Sequence, residues 1–199
     1  MEHDTLTHSI QVALLAKRIA EELKLSSLSV MEIAIAAICH DVGKAFVPKS
    51  ILEKPAKLTD EEFDLMKMHT LYGNELLTKY TDKTMQAAAE VALNHHERFD
   101  GSGYMKKGCG DVSFASRIVA VADVYSALIE DRVYRPAWNK EDALFFIKEN
   151  AGKQFDPCVV TALLAVINKT KGELINGIKD TVGASGNAGN CSRDCFYVH

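Results

Sequence analysis

Along most of this chain, apolar residues recur at spacings of three and four. Val12, Leu15, Ile19 and Leu23 set the pattern, which is the buried stripe of an amphipathic helix and predicts a first helix from about Thr5 to Lys24. Ser29 with Glu32 reads as a capping box opening a second helix that ends near Gly43. Thr59 with Glu62 repeats that signature before a third, from Asp60 to about Met68, which breaks or continues into Leu71 to Tyr80. Further helices are predicted over Lys83–His96, Phe114–Ile129 and Lys140–Asn150, the last of them ended by Gly152. A loop rich in glycine and turn formers fills Asp100 to Asp111. Asp156-Pro157 sets a capping residue before proline at the first position of a last helix. No segment keeps a period of two, so the expected class is all-α, a helical bundle able to carry a metal centre between its helices.

The 199 residues suit one domain with a sizeable core plus a tail. The domain is expected over 1–170. A C-terminal extension over 171–199 includes a Gly, Ala, Ser and Asn stretch with little to bury and is expected to be flexible. A net charge of -4 argues against binding a nucleic-acid polymer. It leaves room for a small anionic substrate, because bound cations reverse the local field. No apolar run approaches the roughly 18 residues that span a bilayer, and no signal peptide is read before the first helix. Five cysteines, an odd number without a regular framework, fit a reducing, cytoplasmic setting. Cys191 and Cys195 are read as incidental.

The histidines change the picture. Of seven, His3 and His199 sit at the two ends, and the other five are His8, His40, His69, His95 and His96. They mark the starts, middles and ends of successive predicted helices, as expected where several helices build one metal centre. Imidazoles and carboxylates together suit Mn, Fe, Ni or Zn. His40 and Asp41 are adjacent, so their side chains diverge by about 100° on a helix, and both serve one site only at a helix end. His8, His40, Asp41 and Asp123 give four ligands from three helices. Asp123 interrupts the apolar run Ile118 to Ala122, and a buried carboxylate there needs a partner that a cation supplies. His8 alone also fits an ordinary surface residue near a helix N-terminus.

His40-Asp41-Val42-Gly43-Lys44, with His95-His96-Glu97-Arg98-Phe99-Asp100-Gly101-Ser102-Gly103-Tyr104, resembles the HD-GYP family, a branch of the HD-domain metal-dependent phosphohydrolases. The resemblance runs over roughly residues 4 to 168. It includes Lys54-Pro55, Leu58-Thr59, His69, Arg117 to Asp123, Asp131 to Arg135 and Phe155-Asp156-Pro157. It implies a cytoplasmic cyclic di-GMP phosphodiesterase on an HD-domain bundle, giving pGpG and/or GMP by attack of a metal-bridging hydroxide. Another cyclic dinucleotide, or a module that senses nucleotide without turnover, is the alternative.

Residue by residue, the resemblance implies His8, His40, Asp41 and Asp123 around one divalent cation. His69, His95 and His96 surround a second, with Asp41 bridging the two. Fe or Mn is expected, with Ni or Zn as alternatives. Asp4 stands where trinuclear members carry glutamate, so a third cation is left open beside a solvated first-turn carboxylate. Lys44 resembles the lysine beside the scissile phosphate, although a helix-end lysine explains it as well. Arg132, Arg135 and Tyr104 resemble substrate-contacting positions, and surface arginine is the alternative for the first two. An N-terminal sensory or receiver domain in the full protein is expected, and a homodimer is one assembly left open. Two departures stand out. Met105 replaces the motif's proline, freeing a backbone torsion and predicting a softer loop. Ser126 replaces a usual aspartate, removing a charge near the site but no implied ligand.

Overall fold

The structure, a computed structural model, describes residues 2–131 and 136–179; the side chains of 2–5 and 171–179 lie outside the description. Among the described residues there are eight α-helices: α1 (Glu2–Glu22), α2 (Ser27–Cys39), α3 (Lys49–Leu52), α4 (Asp60–Leu77), α5 (Lys83–Asn94), α6 (Phe114–Ile129), α7 (Lys140–Glu149) and α8 (Pro157–Lys179). No strand forms among them, and an isolated bridge joins Ala151 to Phe155. The all-α expectation is met. No described helix is long and apolar enough to cross a membrane.

The centre of the bundle is α6. Ile118, Val119, Val121, Ala122, Tyr125 and Leu128 are buried on all sides of it, as a helix surrounded by others requires. It packs against α1, α2, α5, α7 and α8. Val12, Ala16 and Ile19 of α1 join Ile33, Ala36 and Ala37 of α2 and Val159 and Leu163 of α8 in the same core. Any polar side chain on an inward face of this bundle must therefore find an internal partner.

Several helix ends differ from the sequence expectation. The second helix is capped by Ser26, whose hydroxyl accepts from Ser29 N at 3.2 Å, so Ser29 lies inside the first turn instead of at its cap. That helix stops at Cys39, and Val42–Phe46 tighten into a 3₁₀ turn. The Thr59–Glu62 capping box forms as expected. From it α4 runs unbroken to Leu77, because the polar pair His69-Thr70 faces inward and interrupts nothing. The short helix α3 was not anticipated. Asp156 caps α8 by accepting from Cys158 N at 2.8 Å. Its other oxygen accepts from Arg117 Nη1 at 2.6 Å, tying the start of α8 to α6.

Small residues bring three backbones unusually close beside the His40-Asp41 doublet. A Cβ on Gly43 would lie 1.9 Å from His69 O and 2.5 Å from Gly73 N. A Cβ on Gly73 would lie 3.2 Å from the Ala92 Cβ. Gly43 follows Asp41 by two residues, Gly73 lies one turn after His69, and Ala92 lies one turn before His95 and His96. The absence of side-chain bulk at these contacts is what lets the potential ligands converge.

Candidate metal centre

The turn after α2 resolves the geometric problem of adjacent ligands. His40 caps α2, Asp41 leaves helical geometry at φ -104 and ψ 9, and both side chains face inward. Around them gather His8 from α1, His69 from α4, His95 and His96 from the end of α5, and Asp123 from α6. Two groups form. Asp41, His69, His95 and His96 offer ligand atoms all within 4.8 Å of one another, as do His8, His40 and Asp123. Asp41 reaches both: its Oδ1 lies 3.4 Å from His69 Nε2 and 3.7 Å from His95 Nε2, and its Oδ2 lies 3.1 Å from His40 Nε2. All but the half-buried His96 are buried, His8 included, so His8 is not a surface residue.

Hydrogen bonds outside the cluster set how these rings face it. His40 Nδ1 donates to Ala37 O at 2.7 Å, His69 Nδ1 to Met66 O at 2.7 Å, and His95 Nδ1 to Ala92 O at 3.0 Å. Each carbonyl lies three residues back on the ring's own helix. A ring whose Nδ1 carries the proton presents Nε2 inward as the ligating nitrogen. Among the described residues neither His40 Nε2 nor Asp41 Oδ1 has a hydrogen-bond partner, although both are buried. Buried polar atoms are rarely left so. Inward-facing ring nitrogens, orphaned atoms and a mixed imidazole–carboxylate donor set together fit divalent transition metals.

The electrostatics agree. Burial raises the proton affinity of Asp41, yet the His40 and Lys44 charges outweigh it and hold the carboxyl well below the usual range. Asp123 is likewise held down despite burial, by its hydrogen bond from His8 and by His40. Burial would lower His40, but Asp41 and then Asp123 raise it from 6.5 to about 9. Burial, reinforced by a neighbouring His95 charge, lowers His69 from 6.5 to about 4 and pushes His96 well below 6.5. His40 thus favours the protonated form, while burial favours the neutral form of His69 and His96.

A pH optimum for the metal-free protein follows. The raised His40 stabilises fully below pH 6.5 and loses its contribution as pH rises through about 9. The lowered His69 contributes above pH 6.5 and loses its share as pH falls through about 4. Chelator-treated protein should therefore melt highest near pH 6.5. Melting temperatures that stay level from there to pH 9 would contradict the protonated His40.

Of the remaining residues singled out in the sequence, Lys44 places Nζ 2.5 Å from Asp41 Oδ2 at the rim. Tyr104 packs on His96, ring centroids 4.7 Å apart, with Phe63 edge-on at 5.9 Å. Burial and the Asp41 and Asp123 charges push its phenol up to about 12, so it stays protonated. Ser126 is buried on α6. Arg132, Arg135, Cys191 and Cys195 lie outside the described residues, and so does the Asp4 side chain.

Two residues had drawn no role from the sequence. Glu130 Oε2 lies 2.9 Å from His8 Nδ1 across 122 positions, a link no local pattern signals. Glu97, though inside the quoted motif, proves to be the anchor of its loop: it accepts from Met105 N at 2.5 Å and Lys107 N at 2.9 Å. A Cβ on Gly103 would come within 2.6 Å of Glu97 Cα, so only glycine lets the loop lie this close. The Met105 N–H is one that proline could not supply. Met105→Pro should thus cost a charge-assisted hydrogen bond of about 1.5–3 kcal/mol against a chain-entropy gain of about 0.4–1 kcal/mol. The expected result is a net loss of about 1 kcal/mol and faster amide exchange over residues 103–107. A variant with a raised melting temperature and slower exchange would show that the loop prefers the proline.

Among the described residues the chain is an all-helical bundle closed around an inward His/Asp cluster with the residue types to hold metal ions. The chain belongs to the HD domain family, whose model matches residues 3–159, and the resemblance read from the sequence is borne out. It is 46% identical over 147 residues to the cyclic di-GMP phosphodiesterase response regulator RpfG of Xanthomonas campestris pv. campestris, over 73% of this chain and 39% of that protein. It is 39% identical over 162 residues to the 3′3′-cGAMP-specific phosphodiesterase 2 of Vibrio cholerae, over 81% of this chain and 31% of that protein. Among solved structures, Bd1817, a HDG"Y"P protein from Bdellovibrio bacteriovorus, shares the fold with a TM-score of 0.67 at 17% identity, over 82% of this chain and 52% of that one. The chain therefore spans less than half the length of the curated relatives it matches.

Proposed function

We propose that this chain is a divalent-metal-dependent phosphodiesterase that opens cyclic di-GMP to pGpG and/or GMP. The convergence of seven buried or half-buried ligand atoms in two groups joined by Asp41 carries this reading. His8, His40, Asp41 and Asp123 would hold one cation and Asp41, His69, His95 and His96 a second, Fe or Mn first, Ni or Zn next. Once bound, such cations supply Lewis-acid charge neutralisation and a water acidic enough to ionise near neutral pH. Asp41 orders the two groups relative to each other. Lys44, beside Asp41, is placed to offset charge that grows on the phosphoryl oxygens as the 3′ oxygen leaves. Tyr104, protonated and stacked on His96, offers a donor and an aromatic face to the nucleotide. Arg132 and Arg135 remain candidates for phosphate or guanine, for which a planar guanidinium is suited.

A mixed cyclic dinucleotide is the second reading, favoured by the identity to the Vibrio cholerae 3′3′-cGAMP-specific enzyme. Metal analysis of anaerobically purified protein, with turnover of both dinucleotides followed by chromatography, separates the readings. Two metals per chain with pGpG or GMP from cyclic di-GMP supports the first. Turnover of 3′3′-cGAMP alone supports the second, and neither metal nor turnover removes both.

A further inference from the structure

His40, His69 and His95 each rest Nδ1 on a carbonyl of their own helix. His8 is held differently: its Nδ1 lies 2.9 Å from Glu130 Oε2 and its Nε2 lies 2.9 Å from Asp123 Oδ1. Both carboxylates come from α6 or its immediate end, about two turns apart, so one helix grips the ring by both nitrogens. An ionised carboxylate only accepts, so the contact with Glu130 is one in which Nδ1–H donates. A cation that takes Nε2 leaves that Nδ1–H to Glu130.

The position of Glu130 is otherwise unfavourable. A carboxylate at a helix C-terminus meets the negative end of the helix dipole. Its side chain is only 22% exposed, and among the described residues its second oxygen, Oε1, is buried with no hydrogen-bond partner. Among those residues His8 is the one that accounts for a charge there.

We propose that Glu130 is the positioning residue of His8, holding Nδ1–H so that Nε2 aims at the His40–Asp123 group and donates more strongly to a divalent cation. This rests on the reading of His8, His40 and Asp123 as a metal site. Carboxylates that orient ligating histidines typically cost about 10–100-fold in metal affinity when removed.

The test compares the wild type with Glu130→Leu and Glu130→Gln, titrating Zn²⁺ into metal-free protein and following the His8 ring nitrogens by ¹⁵N NMR. In Glu130→Leu, one of two bound equivalents should weaken about 10–100-fold while the other holds, and the protected Nδ1–H signal of His8 should vanish. Glu130→Gln, whose amide oxygen still accepts that proton, should fall between and keep the signal. Wild-type affinity at both equivalents with an unchanged His8 signal in Glu130→Leu would overturn the proposal. So would equal weakening of both equivalents with a lowered melting temperature, the mark of a merely structural residue. If the wild type binds no Zn²⁺, the metal-site reading fails by itself. The metal-free His8 signal then decides alone: its loss in Glu130→Leu supports the orienting bond, and its persistence overturns it.

Discussion

Replacing Asp41 with asparagine is expected to cut phosphodiester turnover about a thousandfold or more and to strip the protein of bound metal, with the fold retained. The size follows from the several kcal/mol that cation charge supplies to such a reaction at 1.36 kcal/mol per tenfold. Asp41 is where the effect concentrates, because its two oxygens face different groups: Oδ1 toward His69 and His95, Oδ2 toward His40 and Lys44. An amide of the same shape keeps the packing but loses the charge, and its NH₂ group cannot ligate. A second signature is independent of catalysis. Burial alone would lower His40, and the Asp41 carboxylate is the main influence that lifts it to about 9. In Asp41→Asn the His40 value should fall, read by NMR titration of metal-free protein. A variant that retains two metals and full turnover would sink the two-cation reading, whatever the substrate.

Gly43→Ala is expected to destabilise by about 3 kcal/mol or more, at the upper end for an overpacked site, and to weaken metal binding with it. The added methyl would sit 1.9 Å from His69 O and 2.5 Å from Gly73 N. Both are backbone atoms within one helix, so no side chain can swing away and α4 itself must shift. The clash falls on the residue that carries a candidate ligand, which couples stability to the site. Against a total of about 5–15 kcal/mol, such a loss lowers the melting temperature by roughly 10 °C in a chain of this size. Gly108→Ala is the control: a Cβ there meets nothing within 4 Å, and a change within about 0.5 kcal/mol is expected. Equal melting curves for the two variants would show that α4 yields more easily than its packing implies.

Particular residues show why some features were legible and others not. The Phe114–Ile129 helix was readable to both ends because a mostly apolar stretch lies between the capping Ser113 and Glu130. The Thr59–Glu62 box was readable because both partners are local. Ser29 was read as the cap in place of Ser26 because Ser26, Ser27 and Ser29 offer the same hydroxyl within four positions, and only backbone geometry selects among them. Arg117–Asp156 and His8–Glu130 are ion pairs across 39 and 122 positions, and no periodicity encodes them. Met105 looked like a loss because proline restricts a torsion; that its N–H reaches Glu97 depends on how the loop folds back.

By itself, the sequence determined the all-α class, the helix that became the centre of the bundle, and the identity of the candidate ligands. These depend on local periodicity, capping chemistry and the scarcity of histidine, all of which are written in order along the chain. Tertiary structure alone decided that two separate donor groups share Asp41, that Nε2 is the inward nitrogen of His40, His69 and His95, and that His40 and not His69 favours a proton. Those properties arise from distances of a few ångströms between helices far apart in sequence, and from burial that strengthens every charge it surrounds.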